Sequence, residues 1–335
     1  MSPARAAILA PEGLTLSARE TAFFREADPW GFIVFARNLA TAAQIRKLTD
    51  DLRQSVGRDA PVLIDQEGGR VQRLRPPLAR DWPPPLDHVA AAGPRAARVM
   101  ALRYRIIAAE LIELGIDCNC APMLDIARAQ THEFLRNRCY GSSVAQVASI
   151  GHAVAGGLMD GGVLPVIKHI PGHGRALFDS HLDLPRIDTP AAELETVDFA
   201  PFKALAELPM GMTAHLVFEA FDPLPATISP VMIGKIRDEI GFEGLLMTDD
   251  ISMQALSGTV AERSAASLAA GCDVVLHCNG DMAEMEDVAA ACGSLTLHGA
   301  RRAASALGSR HHPRPVDIDA LTAELEALMT DRLDG

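Results

Sequence analysis

SSVAQVASIGHAVAGGLMDGGVLPVIKHIPG (142–172) reads as one helix handed directly to one strand. In its first part the apolar residues Val144, Val147, Ile150, Val154 and Leu158 recur at spacings of three and four, one face of a helix, and Gly161-Gly162 end the pattern. Val163-Leu164-Pro165-Val166-Ile167 then runs apolar without alternation, as a strand buried on both faces does. The run ends on Lys168-His169, and Pro171-Gly172 turn the chain away.

The same unit recurs along the chain. Apolar runs occupy 6–10 (AAILA), 31–38 (GFIVFARN), 61–67 (PVLIDQE), 115–123 (GIDCNCAPM), 163–172, 210–218 (MGMTAHLVF), 244–250 (GLLMTDD) and 272–279 (CDVVLHCN). That makes eight. Helical patterns lie between them, at 41–56, 95–115, 191–208, 229–241 and 261–271 as well as 142–162. Eightfold strand–helix alternation predicts a closed (β/α)8 TIM-type barrel. An open dinucleotide-binding sheet would want GxGxxG after its first strand, and AAILAPEGLTL offers none there. The chain has 335 residues, a length that one barrel can use, with no linker, low-complexity tract or internal repeat. A single domain over 1–335 is expected, closing on a final amphipathic helix.

Composition narrows the function. A net charge of −12 and a pI near 5.4 disfavour phosphate backbones and anionic lipid, so no nucleic-acid or membrane partner is expected. The apolar start Ala6–Ala10 is cut by Pro11-Glu12, too early for a signal peptide. Six cysteines without a CxxC pair read as small buried hydrophobes in a cytoplasmic protein. The expectation is a small-molecule substrate, no cofactor, and a monomer or weak dimer.

Barrel active sites form at the C-terminal ends of strands, and four runs end in polar groups. These ends are Asp65-Gln66-Glu67-Gly68-Gly69-Arg70, Lys168-His169, Thr213-Ala214-His215 and Thr248-Asp249-Asp250. Side chains alternate along a strand, so Asp249 and Asp250 divide their roles. Residues 251–256 read as helix, which makes Asp250 its N-cap and Asp249 the candidate for chemistry. After Gly172-His173-Gly174 come Asp179 and His181, two apart and on one side of an extended segment. A carboxylate beside an imidazole fixes its tautomer and raises its pKa, suiting a group that donates and then accepts a proton. His169, His173 and His181 invite a metal, but Pro171-Gly172 rule out the helical face an HExxH site uses, and none is expected.

Taken together, GFIVFARN, LIDQEGGRVQRL, LGIDCNCAPMLDI, NRCYG, VIKHIPGHG, DSHLDLP, AFDPLPATIS and LLMTDDISMQAL resemble family 3 glycoside hydrolases, in the single-domain bacterial β-N-acetylhexosaminidase branch. The resemblance spans nearly the whole chain, in order and spacing. It departs at Thr248, where Ser is usual, at Ile170, where Phe is usual, and at Cys139-Tyr140. It implies a nucleophile at Asp249 and a general acid/base at His181, oriented by Asp179. Asp65, Arg73, Arg138, Lys168 and His169 would bind the sugar. For Arg73 and Arg138 the ordinary alternative is an exposed salt bridge. The implied reaction is removal, with retention, of terminal non-reducing N-acetylglucosamine from peptidoglycan-derived N-acetylglucosaminyl-anhydromuramyl fragments. A glycoside phosphorylase or a broader β-glycosidase of the same family is the alternative.

Overall fold

A computed structural model describes residues 4–177 and 184–330. Eight parallel strands close a barrel: β1 (Arg5–Leu9), β2 (Pro29–Val34), β3 (Val62–Ile64), β4 (Cys118–Asn119), β5 (Leu164–Ile170), β6 (Met210–Thr213), β7 (Leu245–Asp250) and β8 (Val274–His277). Each pairs with its neighbours in sequence, and β8 returns to β1 in the register Ala7↔Val275. All eight apolar runs became strands because each is covered inside by barrel packing and outside by helices. Every residue from β1's Ala6 to Leu9, and all of β2, β3, β5 and β6, is buried.

The helices stop where their sequences allow. Helix α1 (Ala42–Val56) starts on Thr41, whose side chain accepts from the Gln44 N–H, and ends on Gly57 at φ 64°, a left-handed turn that suits glycine. Helices α2 (Ala96–Ile112) and α3 (Val144–Asp160) pack closely, and a Cβ on Gly157 would stand 2.5 Å from the Ala101 carbonyl. The last helix, Ile318–Thr330, lies against α2. Among the described residues, no helix is long and apolar enough to cross a membrane.

Two helical expectations are corrected. The pattern at 191–208 is not one helix: Ala191–Glu193 passes into a wide turn at Leu194–Asp198 before a short helix, Ala200–Ala204. Pro201 has no N–H to donate back along the helix, which breaks the ladder there. Residues 251–256 form turns. Asp250 accepts from the Ser252 N–H (3.1 Å) and hydroxyl (2.7 Å), a local alternative to helical pairing.

At the floor, two aspartates stitch neighbouring strands. Asp117, just before β4, accepts from the Val62 N–H of β3 (2.8 Å) and pairs with Arg53 and Arg310. Asp273, just before β8, accepts from the Leu246 N–H of β7 (2.9 Å) and pairs with Arg237 (2.7 Å) and Arg302 (3.1 Å). Removing the Asp273 carboxylate strands two cations and an amide. Asp273→Ala is expected to cost about 3 kcal/mol of stability. Urea unfolding measures this, while kcat of the remaining folded enzyme stays near wild type, since the floor is remote from the mouth.

Candidate active site

A cavity of about 390 Å³ opens at the C-terminal ends of the strands. Its floor is apolar, from Ile33, Met212 and Leu276, and its walls carry Asp65, Arg73, Arg138, Lys168, His169, His173, Asp249 and Asp250. Six of the eight residues singled out in the sequence therefore meet in one place. The other two, Asp179 and His181, lie outside the described residues.

The segment 65–74 shows how the chain builds this wall. It is a tight hairpin of period two, so alternate side chains face opposite ways. Gln66 points into the protein, accepting from the Arg73 and Leu74 N–H groups (3.0 Å each) and donating to the Leu74 carbonyl (2.9 Å). Gln72 does the same against Leu74, Arg80 and Trp82. Asp65 and Arg73 take the other face and pair at 3.1 Å. Gly68 sits at φ 115°, and a Cβ there would fall 1.8 Å from the buried Arg103 guanidinium, which holds the Glu67 and Pro83 carbonyls.

Glu67 is the first of two buried acids behind the cavity that the sequence reading left without a role. It is 1% exposed and receives Arg138 on both oxygens (2.9 and 2.8 Å) and the Lys168 ammonium at 2.6 Å. Lys168 also reaches Asp65 at 2.7 Å. Burial would raise the Glu67 carboxyl, but Arg138 and Lys168 outweigh it and hold it at about 2. Asp65 is half-buried, and Lys168 and Arg73 keep it well below the carboxylate range. Burial disfavours the Lys168 cation, yet Asp65 and Glu67 more than compensate and drive its pKa up. Lys168 is thus a fixed cation. Arg138, expected on the sugar, lines the cavity but spends its fork on Glu67.

Asp125 is the second unassigned residue. Fully buried, it accepts from His169 Nδ1 (2.7 Å) and from the His173 N–H (2.6 Å). The Nδ1–H that faces Asp125 leaves Nε2 as the other nitrogen of His169. The Lys168–His169 peptide is cis, and both side chains line the cavity. His173 is pushed down to about 4 by burial and by His169, so it is neutral near neutral pH. The signals for both missed acids were present: Glu67 is two residues beyond Asp65, and Asp125 is the lone charge in APMLDI.

At the end of β7 the two aspartates differ in occupation. Asp250 is committed to Ser252 and to the Cys278 N–H (3.1 Å). Asp249 accepts one hydrogen bond among the described residues, from the Asp250 N–H (2.8 Å), and its carboxylate otherwise faces the cavity. Burial raises Asp249, but His169 and His215 outweigh that and lower it, keeping it ionised. His215 is itself buried, held between Thr227 (2.7 Å) and the Asp250 carbonyl (3.0 Å). The cavity therefore presents an ionised carboxylate at β7 and a fixed array of charges from β3 and β5. That arrangement suits nucleophilic attack beside a polyhydroxylated ring.

This chemistry agrees with what the chain resembles. The model of the glycosyl hydrolase family 3 N terminal domain matches residues 18–306. A β-hexosaminidase of Alkalilimnicola ehrlichii is 38% identical over 275 residues, covering 80% of this chain and 79% of that protein. One from Methylococcus capsulatus is 34% identical over 319 residues, 94% of each. NagZ from Neisseria gonorrhoeae, solved in complex with N-trifluoroacetyl-D-glucosamine, superposes with a TM-score of 0.82 at 27% identity, over 98% of this chain and 99% of that one. The chain belongs to glycosyl hydrolase family 3. Within it, the chain is a glycoside hydrolase of the NagZ-like β-hexosaminidase type.

The ion network carries a pH signature. The folded Glu67 carboxyl titrates near 2 against an ordinary 4.5. Its contribution is therefore complete above the ordinary value and lost as pH falls toward the folded one. Urea unfolding of wild type and Glu67→Gln is expected to show a wide stability gap at about pH 7 that narrows by about pH 3. An equal gap at both would mean that Glu67 is not ionised in the native protein.

Proposed function

We propose that the cavity binds the non-reducing N-acetylglucosamine of a cell-wall-derived saccharide and cleaves its β-glycosidic bond with retention. The observation that carries this is Asp249: an ionised carboxylate facing the cavity, while its neighbour Asp250 is occupied by Ser252 and Cys278.

In this reading an Asp249 oxygen attacks the anomeric carbon. The bond to the leaving oxygen breaks as His181 delivers its proton, giving a covalent glycosyl-enzyme and a free alcohol. His181, now the base, takes a proton from water, and the resulting attack frees the sugar and regenerates Asp249. Asp179 orients His181. Both follow Leu177 in the sequence and lie outside the described residues. Asp65 and Lys168 offer acceptors and donors to sugar hydroxyls, as does His169, whose ring Asp125 fixes. Arg73 supports Asp65, and Arg138 supports Glu67. Because these groups are already paired, little reorganisation is needed as positive charge develops at the anomeric centre.

Peptidoglycan fragments of the N-acetylglucosaminyl-anhydromuramyl type, met in the cytoplasm, are the substrate class we assign. The support is the likeness to the hexosaminidase relatives, including the Neisseria protein solved with an N-acylated glucosamine. An acetamido group offers a donor, an acceptor and a methyl. A site shaped for it leaves polar groups unpaired with glucose, at about 1–3 kcal/mol each, so selectivity of roughly ten- to hundredfold is expected.

Two experiments test this. The first compares 4-nitrophenyl β-N-acetylglucosaminide with the β-glucoside, with and without phosphate, and follows the first anomer released by proton NMR. Preference for the glucoside sinks the specificity, first release of the α-anomer sinks retention, and a phosphate-dependent sugar 1-phosphate makes the enzyme a phosphorylase. The second compares Asp249→Asn, expected to lose nearly all turnover, with Asp250→Asn, which keeps more. Near-wild-type turnover by Asp249→Asn removes it as nucleophile.

A further inference from the structure

Beyond β4 the chain continues alongside β5. The Val166 N–H donates to the Ala121 carbonyl (2.9 Å), the Lys168 N–H to the Pro122 carbonyl (3.1 Å) and the Leu124 N–H to the Lys168 carbonyl (2.7 Å). This pairing delivers Asp125, the next residue, to the turn that follows Lys168. Its buried carboxylate collects N–H groups there from one short stretch. Oδ1 accepts from the His173 backbone N–H (2.6 Å) and Oδ2 from His169 Nδ1 (2.7 Å). The His169 backbone N–H makes longer contacts to both oxygens, 3.4 and 3.3 Å. The His173 ring packs edge-on against that of His169, centroids 5.5 Å apart, so the His169 ring is held in plane and in place.

These contacts fix which way the protons point. A carboxylate only accepts, so the His169 nitrogen against it is the one that carries hydrogen. In a neutral imidazole the other nitrogen, Nε2, is then an acceptor. The ring lines the cavity, and Nε2 has no hydrogen-bond partner among the described residues. Lys168, the residue before, is its opposite. An ammonium has three donors and no acceptor, and Asp65 and Glu67 take two of them, at 2.7 and 2.6 Å. Consecutive residues at one strand end therefore offer the cavity the two halves of a hydrogen bond.

We propose that Asp125 is a positioning residue of the reaction: it holds His169 in the tautomer whose Nε2 accepts a hydrogen bond from a sugar hydroxyl. The proposal rests on reading His169 as a sugar-binding residue. It gives the site a direction, since a fluorine in place of that hydroxyl cannot donate and loses the bond. Asp125→Asn reverses the direction. The His173 backbone N–H can only donate, so the amide oxygen takes the Oδ1 place and the NH2 group takes that of Oδ2, against His169 Nδ1. Nδ1 then accepts, and Nε2 carries the hydrogen. The same exchange beside the catalytic histidine of serine proteases leaves the geometry intact and enforces the wrong tautomer.

The test has two arms. In the first, 15N NMR of protein carrying 15N-histidine reads the tautomer near neutral pH, with His169 assigned by its loss in His169→Asn. Wild type is expected to show Nδ1 protonated and Nε2 bare, and Asp125→Asn the reverse. Both nitrogens protonated in wild type, or one tautomer in both proteins, overturns the proposal. The second arm measures kcat and KM for 4-nitrophenyl β-N-acetylglucosaminide and its 3-, 4- and 6-deoxyfluoro analogues. The enzymes are wild type, Asp125→Asn, His169→Asn and the double variant. Asparagine at 169 keeps an amide one bond from Cγ, as Nδ1 is, so Asp125 stays paired while Nε2 is gone. Asp125→Asn is expected to lower kcat/KM on the parent glycoside by about 10- to 100-fold. It should also shrink the fluorine penalty at one position by about tenfold, and comparing enzymes on the same substrate cancels the electron withdrawal of fluorine. In the His169→Asn background it should cost less than about threefold more, because both act through one nitrogen. An unchanged fluorine penalty at every position, or the full cost repeated without Nε2, overturns the proposal and leaves Asp125 a support of the backbone. Should Asp125→Asn not fold, the remaining proteins decide: wild type must show a bare Nε2 and a fluorine penalty that vanishes in His169→Asn. If His169→Asn itself loses less than about threefold on the parent glycoside, the sugar-binding reading of His169 fails and this proposal falls with it, an outcome visible without any Asp125 variant.

Discussion

Everything at the mouth of this barrel depends on Lys168 standing between Asp65 and Glu67, at 2.7 and 2.6 Å. A buried ammonium is unfavourable alone, and so are two carboxylates drawn largely out of water. Together with Arg138 on Glu67 and Arg73 on Asp65 they become two anions and three cations. Asp249, across the cavity, supplies a third anion. Such a network is a poor source of net stability, because desolvation consumes most of the Coulombic gain. What it provides is rigidity: each polar group is held by the others before a sugar arrives.

That rigidity rests on apolar packing of the plainest kind. The carboxylate of Asp65 is carried by the chain just beyond β3, and Lys168 by β5. Between the two strands lies β4, two residues long and buried. Misplacing any of these strands would part the ion pairs by more than their hydrogen bonds tolerate. The hairpin of 65–74 solves a second problem, since a wall of charged side chains also has backbone to satisfy. Its glutamines turn inward and close the backbone, while Asp65 and Arg73 turn toward the cavity.

The strands were legible from sequence because a strand covered on both faces has no choice but to be apolar throughout. The residues at strand ends, Asp65, Lys168, His169 and Asp249, were legible for a related reason: an ionisable group that ends an apolar run has one direction in which to point. Glu67 and Asp125 were harder. In isolation EGG reads as a surface turn, and only Arg103 and Arg138, far along the chain, show that it is interior. The apparent helix at 251–256 failed because a side chain two residues back competes for its first amide, a contest that periodicity does not record.

The two floor aspartates have a bearing on timing. Asp117 sits at the seam of β3 and β4, and Asp273 at the seam of β7 and β8, four strands away on the opposite side of the ring. Each takes one arginine from the segment after β8: Arg302 for Asp273 and Arg310 for Asp117. A short stretch near the end of the chain therefore braces both halves of the floor at once. The first seam's carboxylate stands 193 residues ahead of one of its partners, so that ion pair can close only once the segment after β8 has joined the ring. One short segment thus couples two distant seams, and neither carboxylate has its full set of partners until that segment docks.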